Sequence, residues 1–249
     1  VSLEGGELEI SADATITNAI ASTNDSSAID TGTNTVTVSG TVSGSNAITK
    51  KGSGTLEITG TNNLSGTAKV EAGTLKVASS DKLGSGSVSL EGGELEISAD
   101  ATITNAIAST NDSSAIDTGT NTVTVSGTVS GSNAITKKGS GTLEITGTNN
   151  LSGTAKVEAG TLKVASSDKL GSGSVSLEGG ELEISADATI TNAIASTDDT
   201  SAIDTGTNTV TVSGVLSGSN KINKTGTGTL TLTGTNTNTT GVEIDQGTL

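Results

Sequence analysis

The side chains able to do chemistry in these 249 residues are few in kind: 27 carboxylates, 12 lysines, many hydroxyls, and no Cys, His, Tyr, Trp, Phe, Met or Arg. Without His or Cys there is no Ser-His-Asp triad, thiolate nucleophile, redox pair or ordinary zinc or copper site. No arginine is present to clamp a phosphate or carboxylate bidentately. Three patterns remain. Asp25 and Asp30 lie in and just after the polar stretch Ser22-Thr23-Asn24-Asp25-Ser26-Ser27, and recur as Asp112 with Asp117 and as Asp199 with Asp204. Carboxylates of this kind are candidate calcium ligands, although the glycine-aspartate nonapeptide of calcium-binding β-rolls is missing. The other reading of the stretch is a protruding loop that recurs along the chain. Glu7 and Glu9 form a carboxylate pair, the minimum for glycoside hydrolysis, but two residues apart on a strand they stand on an open surface, and the alternative is a solvated acidic face. Thr35, Thr55 and Thr74, with Thr37, could form an outward threonine ladder of the ice-binding kind, interrupted by Glu7, Glu94 and Lys76; β-branched Thr also simply suits a solvent-facing strand.

Charge and hydropathy limit the partners. A formal net charge of -15 argues against DNA, RNA or an acidic membrane surface. No apolar run approaches the roughly 18 residues that would cross a bilayer as a helix. Nothing in the composition calls for a cofactor. A hydrophobic share of 31% with no aromatic residue would suggest disorder if the aliphatic residues were scattered, and they are not.

Residues 1–87 and 88–174 are identical, and 175–249 is a third copy that diverges mainly after Gly214. Because a third full copy would run past Leu249, the chain reads as a stretch of a longer array. Within each copy a turn residue followed by alternating polar and aliphatic residues recurs at Gly6, Asn34, Gly54 and Gly73. The strands it opens include Thr35-Val36-Thr37-Val38, Thr55-Leu56-Glu57-Ile58 and Thr74-Leu75-Lys76-Val77, each with one aliphatic face. The third copy separates the faces. Val42, Ile58, Ala68 and Val70 become the aliphatic Leu216, Leu232, Val242 and Ile244, while Lys69 becomes Glu243 and Glu57 becomes Thr231. Leu64 becomes Asn238, which suggests a corner position rather than the core.

Such a segment can bury its aliphatic face only by stacking on its neighbours. The expected fold is all-β, a single-stranded parallel β-helix (β-solenoid) of about 12 coils of 19–28 residues, continuous over 1–249, with internal repeats 1–87, 88–174 and 175–249. The spacings predict four coils per repeat, the first spanning the long step from Gly6 to Asn34. They also predict an inward column Leu56, Leu75, Leu95 and an outward column Glu9, Thr37, Glu57, Lys76, Glu96, with Lys76 relieving repulsion between its acidic neighbours.

The run Lys224-Thr225-Gly226-Thr227-Gly228-Thr229-Leu230-Thr231-Leu232-Thr233-Gly234, followed by Gly241-Val242-Glu243-Ile244 and Gln246-Gly247-Thr248-Leu249, resembles the autotransporter-associated β-strand repeat, also called the passenger-associated transport repeat. Lys51-Gly52-Ser53-Gly54-Thr55-Leu56 and Ala72-Gly73-Thr74-Leu75 carry parts of the same motif. The resemblance implies a right-handed parallel β-helix in the passenger region of a large bacterial surface or secreted protein. The resulting expectation is a non-enzymatic extracellular structural region, a stalk or fibre of an adhesin giving reach and display at the cell surface. Self-association end to end or laterally, and contact with a host, neighbouring-cell or matrix surface, are the expected partnerships. A ligand-binding solenoid for ice or calcium is the alternative, and a fragment of a polysaccharide-active enzyme the third.

Overall fold

A computed structural model describes residues 1–249. The chain folds into strands of two to four residues and two short 3-10 turns, Ser80–Lys82 and Ser167–Lys169. The strands follow from the alternation. In Thr74–Val77, Leu75 and Val77 are buried while Thr74 and Lys76 are half-exposed. A strand this short contributes only two aliphatic side chains, so its core must be shared with the coils above and below. Every named strand pair is parallel, joining residues 19 apart, as in Thr55 with Thr74, to 22 apart, as in Ile20 with Val42. These registers stack the chain into a three-sided β-solenoid of about twelve coils, with no α-helix.

The three sides form three columns. The first runs through Ser2–Leu3, Ile20–Ser22, Val42–Gly44 and Asn62–Leu64, then through the turn Ser80–Lys82 to Ala101–Ile103 and onward. The turn keeps the column continuous without ladder bonds: Asn62 Nδ2 donates to Lys82 O at 2.8 Å, and Thr104 N donates to Ser80 Oγ at 3.1 Å. The second column begins at Glu7–Glu9 and Ser27–Asp30, the third at Ala14–Ile16 and Thr35–Val38. Forty-five buried residues line a single core along the axis.

Several expected neighbours meet. Leu56, Leu75 and Leu95 are in register and buried. Thr35, Thr55 and Thr74 stack until Glu94 ends the ladder. Lys76 lies between Glu57 and Glu96, with its Nζ 3.1 Å from Glu96 Oε1.

Three expectations fail. The 28-residue step is not one coil: Glu7 pairs with Ala28, and Thr35–Val38 stacks on Ala14–Ile16 instead. The extra residues form another side of the solenoid, because Ser27–Asp30 is itself a strand of the second column. Coils therefore span 19–22 residues, and one 87-residue repeat makes four coils and one side. For the same reason Glu9 leaves the Thr37 column and stacks on Asp30. Leu64 is the third: it is 0% exposed and part of the core. Its parity in Asn62–Leu64 points it inward beside Gly44, whose missing side chain leaves room. The third copy shows what the change to Asn costs. Asn238 buries an amide nitrogen that has no hydrogen-bond partner, and its segment is no longer a strand.

Candidate functional site

Lys50 has the parity of Ile48 in the strand Ile48–Lys51, so it shares the inward face. Its register column reads Leu8, Ile29, Lys50, Val70, Leu90: a lysine in a stack of aliphatic residues. It is 2% exposed, as is Lys137, and Lys224 is 0% exposed.

The chain resolves this conflict at the corner that follows. Lys50 Nζ donates to the carbonyl oxygens of Lys51 at 2.7 Å, Gly52 at 2.7 Å and Ala72 at 3.1 Å. Two acceptors belong to its own corner and the third to the next coil, so one ammonium ties consecutive coils together. Lys137 repeats the arrangement with Lys138, Gly139 and Ala159, and Lys224 with Thr225, Gly226 and Gln246. The corner turns through Gly52 at φ 77°, where a Cβ would stand 2.4 Å from Asp30 Oδ1 and 2.5 Å from Gly32 N. Glycine is required here by both the backbone angle and the close approach of the coil below. Asp30 in turn accepts the Gly32 N–H at 2.7 Å.

Burial pulls the Lys50 ammonium down to about 8, opposed by the Asp30 carboxylate, and pulls Lys137 to about 8 against Asp117. Burial lowers Lys224 as well, against Asp204. Three carbonyl acceptors call for three N–H donors, which only the protonated amine supplies. With each donor used inside the fold and the side chain closed from solvent, the amine is placed to hold backbone rather than to attack a substrate.

The adjacent Lys51 faces out. Its Nζ lies 2.9 Å from Glu7 Oε2, two coils away, and Lys138 reaches Glu94 at 3.0 Å. In the third copy Thr225 stands at this position and donates through Oγ1 to Glu181 at 3.3 Å. Glu181 is pushed up by burial and by the neighbouring Asp204 charge.

The other candidates occupy separate places. Asp25 and Asp30 lie at opposite ends of the second-column strand, on different corners. Asp25 Oδ1 accepts the Ala47 N–H of the next coil at 2.7 Å; Asp112 does the same for Ala134 at 2.7 Å, and Asp199 for Lys221 at 3.0 Å. Asp117 and Asp204 each accept the N–H of the glycine two residues on, at 2.7 Å. The polar stretch is a four-residue corner between Ile20–Ser22 and Ser27–Asp30, not a protruding loop. Ser22 and Ser27 are buried on either side, donating to Ala47 O and Leu3 O at 2.7 Å each. No group of three or more Asp or Glu residues gathers as a cation site. Glu7 and Glu9 are exposed on a flat face, with Glu7 engaged by Lys51.

Reading the sequence did not single out Lys50. The signal was present: in the third copy Lys51 becomes Thr225 and Lys69 becomes Glu243, while the inward-parity lysine is kept as Lys224.

A polar corner repeated at each of three equivalent points, on a core made by stacking, defines a structural β-solenoid repeat protein. Residues 48–77, 135–164 and 222–249 match the family described as passenger-associated transport repeat. Each of the three matched segments begins two residues before the buried lysine. No curated protein and no solved structure matches the chain. No helix is long and apolar enough to cross a membrane, which leaves membrane crossing by strands unaddressed.

Proposed function

We propose that this region is a non-enzymatic extracellular spacer, a stalk or fibre segment of a bacterial surface passenger that sets reach. The observation that carries the reading is the use made of the polar groups. Lys50, Lys137 and Lys224 each tie one coil to the next through backbone carbonyls. Asp25, Asp112 and Asp199 do so through backbone amides. Groups that could have formed a reactive centre are spent on stacking. The surface left over is acidic and polar, which suits a soluble rod. The passenger-associated transport repeat adds support for export and surface exposure, with end-to-end or lateral self-association and contact with a neighbouring or host surface as its partnerships.

The test is deletion of residues 88–174 in the full-length protein, which joins Ser87 to Val175 and recreates the Ser87-Val88 junction. The rod should shorten by about 21 Å at the β-stacking distance, with export and display retained and adhesion weakened but not abolished. A parallel variant carries Asp25→Ala and Asp30→Ala with the same changes at Asp112, Asp117, Asp199 and Asp204. It should loosen corners without abolishing binding. Abolished binding or lost calcium uptake in that variant, with fold and length preserved, would overturn the spacer reading in favour of a dedicated site.

A further inference from the structure

The identical repeats do not face the same way. Ile20–Ser22 lies in the first column, its copy Ile107–Ser109 in the second, and its second copy Ile194–Ser196 in the third. Other elements behave alike: Thr35–Val38 is in the third column, Thr122–Val125 in the continuation of the first, and Thr209–Val212 in the continuation of the second. The cause is arithmetic. Each of the two full repeats supplies thirteen short elements, twelve strands and one 3-10 turn, and a coil consumes three of them. Thirteen leaves one over, so every copy starts one side further round than the last.

We infer that the 87-residue repeat is a screw step: each copy advances the rod by four coils and one side, and turns its surface through about a third of a turn. A given surface therefore returns to the same side only after three copies, or thirteen coils. This matters for what the rod can carry. Neighbouring copies are separated axially by about 21 Å, whereas copies on one side recur only every about 62 Å, taking about 4.8 Å per coil. A globular protein broader than the shorter spacing would collide with its neighbour if all copies faced one way. On the screw, each copy holds one such partner without crowding, on a different side of the rod. Repeat number thus sets direction as well as length, and a flat opposing surface meets only one copy in three.

The exposed corners Thr23–Ser26, Thr110–Ser113 and Thr197–Thr200 mark the geometry. They lie between the first and second columns, the second and third, and the third and first respectively. The chain has no cysteine, so Ser26→Cys, Ser113→Cys and Thr200→Cys can be introduced in pairs and spin-labelled. Pulsed electron paramagnetic resonance should give equal distances for 26 to 113 and 113 to 200, each longer than the axial rise. The 26-to-200 distance should be clearly less than twice either one, because the three points are not collinear. Collinear distances, with the outer pair at twice the inner, would overturn the screw. The triple cysteine variant, biotinylated and saturated with monovalent streptavidin, should bind three per chain. Two or fewer, when each single variant binds one, would overturn uncrowded display. Circular dichroism of each variant confirms that the β-solenoid is retained.

Discussion

Lys50 and Lys51 are neighbours in sequence and the same in chemistry, yet the fold uses them oppositely. Lys50 is shut into the core side of its strand and has its charge met by three backbone carbonyls. Lys51 stands at the surface and reaches Glu7 across two coils. The third copy weighs them by what it keeps: the inward lysine stays as Lys224, and the outward one becomes Thr225. An exposed ion pair is screened by water and contributes little. Removing the Lys50 ammonium takes the donor away from the Gly52 and Ala72 carbonyls, which costs more than losing a screened pair, while Lys51 O keeps the Thr31 N–H at 3.2 Å. A strand's alternation thus turns one chemical group into a structural bolt and a dispensable ornament, one residue apart.

The strongest challenge to this contrast is an inward charge with no carbonyl cup. Leu75 is buried between Leu56 and Leu95 in register. Leu75→Asp should cost several kcal/mol, about the penalty for burying an unpaired polar or charged group, and melt the surrounding coils. Thermal unfolding followed by circular dichroism would show it; a melting temperature equal to that of Lys76→Thr would mean inward and outward are wrongly assigned. Lys50→Met comes next. It fits the aliphatic column and removes the cost of burying the charge, but strands the Gly52 and Ala72 carbonyls, Lys51 O keeping its bond from Thr31 N. A net loss of about 1–3 kcal/mol is expected, as for unsatisfied buried groups, measured by urea unfolding.

The pH dependence separates the two lysines by sign. The folded Lys50 and Lys137 titrate near about 8, below the ordinary 10.5. Between those values the unfolded chain holds more protons than the folded one, so stability should rise with pH across that window. Lys50→Met combined with Lys137→Met should flatten the rise. Lys51 and Lys138 are pushed upward, chiefly by their hydrogen bonds to Glu7 and Glu94. Their contribution is present below 10.5 and lost only above it. Smallest of all, Lys51→Thr repeats what the third copy already carries and should change the urea midpoint little, with the remaining difference shrinking further in high salt.

Much of this architecture was legible from residues alone. Alternation in Thr55–Ile58 and Thr74–Val77 identified inward leucines and outward charges, since side chains on a strand must point to opposite faces. The identity of 1–87 with 88–174, together with a polar-aliphatic pattern too short to bury itself, required stacking. The motif around Lys224-Thr225-Gly226 pointed to the repeat family whose description matches residues 48–77, 135–164 and 222–249. Composition alone, with no His, Cys, Tyr or Arg, restricted the available chemistry.

Only the tertiary structure decided which strand lies on which. Ser27–Asp30 and Ala14–Ile16 carry weak patterns, so the spacing from Gly6 to Asn34 looked like one long coil, whereas pairing divides it into a coil and a further side. Leu64 looked like a corner residue because its copy is Asn238, but it is buried in the core beside Gly44 one coil below. Lys50 could not be recognised as a bolt from its own strand, since its acceptors are the turn that follows it and Ala72 in the next coil. Alternation is a property of one segment and can be read within it. Register, the carbonyl cup and the turning of each copy onto a new side are relations between segments about 20 residues apart, and they exist only once the coil has closed around a shared core.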